Sequence, residues 1–174
     1  MKQIFAAVAL ILLLGVASCS DSRWKVSGDI AGGEGRVLLL EASHNGNWYA
    51  LDSVVLDASG KFELAQTPAG YPDIYRLRIG DQSVYFPIDS VESVTVSGTA
   101  GAFATDYTLA GSASADALYD VDKKIAAVVK AGGEKAVATD SLLKRELAGM
   151  LLGDPSGVVA YYIINKKVGS TAIF

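Results

Sequence analysis

From residue 24 to residue 111, no apolar run is long enough or spaced in the right way to build a helix. Instead, about eight runs of four to eight residues follow one another, separated by Gly, Asn, Asp and Ser. WKVSGDI alternates, with Trp24, Val26 and Ile30 on one face and Gly28 in line with them. AGGEG then breaks the chain, and RVLLLEA is apolar enough to be buried on both faces. SHNGN reads as a tight turn, because Asn and Gly both tolerate positive φ. WYALDSVVL resumes the strand pattern, and DASGK turns at Gly60 into FELA. In IYRLRI, Tyr75, Leu77 and Ile79 share a face that Ile74 cannot join without a bulge. SVYFPI carries Pro87, which suits an edge strand or a strand end, and SVTVSG and DYTLAG complete the series. Short strands at regular spacing with turns between them predict a mainly β fold, an antiparallel β-sandwich or barrel, rather than a parallel sheet.

The period changes at Gly111. Leu118, Val121, Ile125, Val128 and Val129 recur at spacings of three and four, which is one face of a helix. Ser112 or Ser114 caps its start, and Gly132-Gly133 ends it. Thr139 caps a second helix whose stripe is Leu143, Leu147, Met150 and Leu151, ended by Gly153. Asp154-Pro155 is a cap followed by proline at the first helical position, so SGVVAYYIINKK reads as a third helix, apolar on most sides and stopped by Gly169. The strands are therefore expected to be followed by an α-helical C-terminal segment.

The N-terminus follows a different logic. Residues 4–16, IFAAVALILLLGV, are all apolar or glycine, and Lys2 is the only charge before Asp21. A membrane-spanning helix needs roughly 20 such residues. A basic start, a short apolar stretch and small residues at a cleavage point are the marks of a secretory signal. Val16-Ala17-Ser18-Cys19 then resembles the lipobox of bacterial lipoproteins, in which an aliphatic residue and two small residues precede a cysteine. That resemblance implies that the Cys19 thiol receives a diacylglycerol, that the signal is cleaved before Cys19, and that the new amine is acylated. Cys19 is the only cysteine, which excludes a disulfide within the chain. A lipidated Cys19 ties the protein to a membrane of the cell envelope, facing the periplasm or the cell surface.

Charge narrows the partners. Residues 19–111 carry six basic and twelve acidic side chains, which argues against nucleic acid and against polybasic membrane binding. With no disulfide available, stability has to come from a packed core.

No catalytic constellation is nominated. His44, the only histidine, falls in the SHNGN turn and reads as a solvated loop residue. Gly32, Gly33 and Gly35 in GGEGR lack the lysine, the Ser/Thr and the helix of a phosphate loop. Asp52 and Asp57 lack the alternating ligand pattern of a calcium loop, and Asp57 reads as a turn residue. Trp48, Tyr49, Tyr71, Tyr75 and Tyr85 suggest a stacking platform for sugars, although aromatics at strand spacing more often pack across strands or in a core. No cofactor or metal ligand set is evident, and the chain is expected not to be an enzyme.

Taken in order, WKVSGDIAG, VLLLEA, LDSVVLDASGKFEL, YRLRIGDQSVYFPIDSVESVTVSG and TLAGSASADALYD resemble a bacterial envelope lipoprotein domain of unknown function. That domain normally precedes a thioredoxin-like domain of the alkyl hydroperoxide reductase/thiol-specific antioxidant class. DPSGVVAYYIINKKVG resembles the helical connector between the two. The resemblance implies a β-sandwich with no assigned biochemical role. This chain contains no Cys-x-x-Cys, so the redox residues have no positions here. The expected organisation is a lipoprotein signal peptide at 1–18, a tether at 19–23, a β-sandwich at 24–111 and a helical connector at 112–174. The expected role is a non-catalytic binding or scaffold module, anchored to the membrane through Cys19 and in contact with a thioredoxin-like domain or another envelope protein. Two alternatives stand beside it: the accessory front of a thiol–disulfide oxidoreductase, and a glycan-binding module.

Overall fold

The structure, a computed structural model, describes residues 22–164. Cys19, the signal segment and residues 165–174 lie outside the described residues. Eight strands come first: β1 (Trp24–Ala31), β2 (Val37–His44), β3 (Asn47–Val55), β4 (Lys61–Gln66), β5 (Asp73–Ile79), β6 (Gln82–Ile88), β7 (Ser93–Thr99) and β8 (Tyr107–Ala110). Four helices follow: α1 (Ala113–Gly132), α2 (Glu134–Val137), α3 (Ser141–Gly153) and α4 (Val158–Tyr162). The strands form two four-stranded sheets, ordered β4-β1-β7-β8 and β3-β2-β5-β6, and so make the expected sandwich.

One ladder departs from the antiparallel expectation: β1 and β7 run parallel, with Lys25 opposite Ser93 and Ile30 opposite Gly98. The reason is parity. Each strand reverses the direction of the one before it, so odd-numbered strands point one way and even-numbered strands the other. The second sheet alternates odd and even throughout, whereas the first places β1 beside β7. The same parity puts the start of every odd strand, including Trp24, at one end of the sandwich. At that end lie the Asn45-Gly46 turn, the loops at 67–72 and 89–92, and the entry into α1.

The two sheets enclose a core of alternating side chains. Trp24, Val26, Ile30, Leu38, Leu40, Leu77, Phe86, Val94, Val96 and Leu109 are all buried. Trp24 packs on Tyr75 with ring centroids 4.6 Å apart and on Phe86 at 6.0 Å. Gly28 lies in line with Trp24 and Val26, as the alternation predicts, but a side chain there would run into the Val96 carbonyl of the neighbouring strand. β3 differs from its neighbours in being largely exposed: it is an edge strand, and the opposite edge, β6, is buried because α1 packs against it. Pro87 sits on β6, the opposite edge, where its missing N–H disrupts no outer ladder.

Ile74 is buried although it points away from Leu77, and no bulge is needed to bury it. On this outward side of the second sheet α4 contacts β5 and α1 contacts β6, and α1 also reaches β8 of the first sheet. α1 supplies Ala115, Leu118, Val121 and Ile125 to the core, α3 supplies Leu143, Leu147 and Leu151, and α4 supplies Val158, Ala160 and Tyr162. Two helix starts differ from expectation. The cap of α3 is Asp140 rather than Thr139, its carboxylate accepting from Leu143 N at 2.8 Å. Asp154-Pro155 forms a turn instead of starting a helix, and α4 begins three residues later, at Val158.

Candidate functional site

The aromatic residues that suggested one platform fall into two separate groups. Tyr49, Tyr71 and Tyr75 surround a small cavity of about 170 Å³ at the end of the sandwich where β1 begins, with His44 and Asp73 also on its wall. The parity of the strands explains the gathering: the turn after His44, the start of β3 and the loop before β5 all belong to that end. Tyr75 is buried, and Tyr49 and Tyr71 are about half exposed or more. Burial, then the nearby Asp73 carboxylate and the Tyr71 and Tyr49 hydroxyls, push the Tyr75 hydroxyl up to about 12, so it stays protonated at neutral pH. A cavity this small lies below the roughly 300–1,000 Å³ typical of ligand pockets.

Trp48 and Tyr85 belong to the second group, on the outward face of the second sheet. β5 turns Arg76 and Arg78 outward because they alternate with Tyr75, Leu77 and Ile79. β2 places Glu41 opposite Arg76. The Glu41 carboxylate accepts from Arg76 Nε at 2.5 Å and from Arg78 Nη2 at 2.9 Å, although Glu41 itself is only 4% exposed. Burial alone would raise this carboxyl, but the hydrogen bonds from Arg78 and Arg76 outweigh it and hold the group below its ordinary value. The Arg76 guanidinium lies 4.3 Å from the Trp48 ring centre, and Trp48 packs on Tyr85 at 5.6 Å.

Tyr85 also meets Tyr162 of α4, at 6.1 Å. From there a polar link runs under the helices. Asp122 of α1 accepts hydrogen bonds from Tyr162 at 2.8 Å and from Tyr107 of β8. Burial, followed by the charge of Asp122, raises both tyrosine hydroxyls well above their ordinary range. Both are therefore fixed as donors, and the Asp122 carboxylate ties α1 to β8 and to α4. The arrangement is a clamp between α1, β8 and α4.

Another cavity, of about 590 Å³, lies between α1, α3, α4 and the loops at the end of the sandwich where β1 begins. Its wall includes Ala117, Met150, Val158 and Ala160 together with Asp89 and Ser114. Ser114 donates to Asp89 at 2.8 Å. The residues weighed singly in the sequence fall as follows. His44 is exposed at the end of β2, with Asn45 and Gly46 at φ 50° and 78° in the turn. Gly32, Gly33 and Gly35 form the turn from β1 to β2. Asp57 accepts from the Ser59 hydroxyl at 2.6 Å and from its N–H at 2.8 Å, and those bonds hold its carboxyl low. Cys19 lies outside the described residues.

Sequence reasoning passed over Glu41, Arg76, Arg78 and Asp122. A partial signal existed for the first three: a carboxylate at the end of the apolar run in RVLLLEA and two arginines at alternate positions of IYRLRI are opposite charges inside otherwise apolar strands. Asp122 gave no signal, because its partners come from two elements distant in sequence. Among the described residues there is no group of His, Cys, Asp and Glu arranged to hold a metal ion, and no helix is long and apolar enough to cross a membrane.

No curated protein matches this chain. Among solved structures, the crystal structure of (S)-allantoin synthase is similar at 11% identity and a TM-score of 0.38, over 54% of this chain and 45% of that one. A correspondence in sequence runs from the first residue of β1 into the second turn of α1: over residues 24–118 the chain belongs to the family described as a domain of unknown function, DUF4369.

Proposed function

We propose that this protein is a lipid-anchored protein of the cell envelope whose β-sandwich is a non-catalytic binding or scaffold module. The observation that carries the proposal is the succession within residues 4–19 of an apolar stretch, two small residues and the chain's only cysteine. Each buried methylene of an acyl chain contributes roughly 0.8 kcal/mol, and two or more chains hold a protein stably where one holds it marginally. On the part of this sheet face that α4 leaves uncovered, Arg78, its side chain 32% exposed, and the half-buried Trp48 give the module a charged and aromatic surface suited to another envelope protein. Replacement of Cys19 by alanine tests the anchor. Radiolabelled palmitate incorporation is expected to vanish and the protein to move to the soluble fraction. Unchanged labelling would overturn the assignment.

A second reading makes the sandwich the accessory front of a thiol–disulfide oxidoreductase. It is favoured by the likeness of residues 154–169 to the connector that leads into a thioredoxin-like domain, and by exposed Tyr161 and Ile164 on the last described turns. Thiol–disulfide exchange needs an attacking thiolate. On this reading the gene continues in frame beyond codon 174 into a Cys-x-x-Cys. A stop codon there would remove it.

A further inference from the structure

The geometry points to a membrane-resting face: the tether end of the sandwich lies on the bilayer, with Tyr49, Tyr71 and Val91 at the level of zwitterionic lipid headgroups. This rests on the reading of Cys19 as lipidated. Five residue steps separate Cys19 from Trp24, the first residue of β1, and span at most about 18 Å when fully extended. β1 has eight residues and runs for roughly 26 Å at about 3.3 Å per residue. With Trp24 at the start of that strand, the tether holds one end of the sandwich close to the lipid. The far end stands beyond its reach unless the sandwich lies on its side.

The near end is also where the surface suits the purpose. Tyr71 is 63% exposed in the loop at 67–72, Val91 is 52% exposed in the loop at 89–92, and Tyr49 is 49% exposed near the start of β3. None of the three is needed by the core, which Trp24, Tyr75 and Phe86 fill at this end. Tyrosine combines an apolar ring with a polar tip and is enriched where hydrocarbon meets water. The charges at this end are Asp73, Asp89, Glu92, Asp116 and Asp154 against Arg23 and Lys25, the latter itself 3.6 Å from Glu63, so acidic groups outnumber basic ones. Adhesion is therefore not electrostatic, which selects zwitterionic over anionic lipid.

The lipidated full-length protein provides the test. Acylation consumes the only native thiol, so Val91→Cys or Val55→Cys leaves one free thiol for an environment-sensitive fluorophore. Val55 marks the opposite end of the sandwich. In phosphatidylcholine vesicles carrying lipids spin-labelled near the headgroup, the label at 91 is expected to be quenched several-fold more than the label at 55. Adding Tyr49→Ser and Tyr71→Ser, with circular dichroism and vesicle flotation unchanged, is expected to bring quenching at 91 down towards that at 55. Equal quenching at both positions, or none at either while the protein still floats with the vesicles, overturns the inference and leaves lipidation standing. Failure to float overturns lipidation, and the inference with it.

Discussion

A carboxylate buried on a sheet face is costly unless it is paired, and Glu41 is paired twice. Its side chain is 5% exposed, while those of Arg76 and Arg78 are 17% and 32% exposed. Losing the carboxylate charge leaves Arg76 short of its partner but lets water reach Arg78. Glu41→Gln is therefore expected to cost about 2 kcal/mol at pH 7, less than the roughly 3–5 kcal/mol for breaking a fully buried pair, because Arg78 stays within reach of water. The pH dependence has a definite sign. The folded carboxyl sits below its unfolded value, so its contribution is complete above the unfolded pKa of about 4.3 and fades as pH falls through the folded one. Denaturant melts of parent and variant should differ by a constant amount from pH 7 down to about 5.5 and converge on further acidification. A gap that persists unchanged at pH 2 would show that the carboxylate charge is not what Glu41 contributes. At this scale the sequence was only partly legible. Alternation gave the faces of β1 and β5, and the apolar run of β2 gave its burial. The outward pairing of Glu41 with Arg76 needed the register of β2 against β5, which no local pattern carries.

Among the elements, the strands were easier to place than the helix starts. Turns announced by Asn45-Gly46 and by Asp57 to Gly60 are short-range features, and both form as their residues dictate. The α3 start was misplaced by one residue because Thr139 and Asp140 are both good caps and sit side by side. The stripe of Leu143, Leu147 and Leu151 was still found, since packing rather than the cap sets it. The structure makes the two caps separable. Asp140→Ala removes the acceptor for Leu143 N and should lower stability by about 1 kcal/mol. Thr139→Ala, whose hydroxyl reaches only the Ala136 carbonyl at 3.3 Å, should change it by less than about 0.5 kcal/mol. Equal effects in urea melts would refute the assignment. Asp154-Pro155 misled for a related reason. It has the composition of a helix start, but the Asp154 carboxylate lies so close to Gly157 that a side chain there would collide with it, and the turn closes on itself before α4 begins.

At the scale of the whole molecule, the helices are more than an appendage to the sandwich. The sequence suggested a boundary at Gly111, where the hydrophobic period changes from two to three and four. Periodicity marks where strands stop, but it does not mark where the core stops. Ala115, Leu118 and Val121 of α1 are fully buried, and the Tyr119 hydroxyl donates to the Tyr107 carbonyl of β8 at 2.9 Å. The family correspondence likewise runs to residue 118, inside α1. Burial of Leu118, Val121 and Ile125 is worth roughly 1.5–3 kcal/mol each, against a stability of about 5–15 kcal/mol for a typical domain. A chain of residues 20–111 is therefore expected to keep strand-type circular dichroism but to unfold at a much lower urea concentration than residues 20–164. Extending it to residue 132 restores α1 and should recover most of the difference. Adding α3 and α4 then supplies the cover over Ile74 and the second hydrogen bond to Asp122, a smaller gain. Equal urea midpoints for the chains ending at 111 and at 132 would mean that the two sheets hold themselves together without α1, and that the helix only decorates a surface it buries.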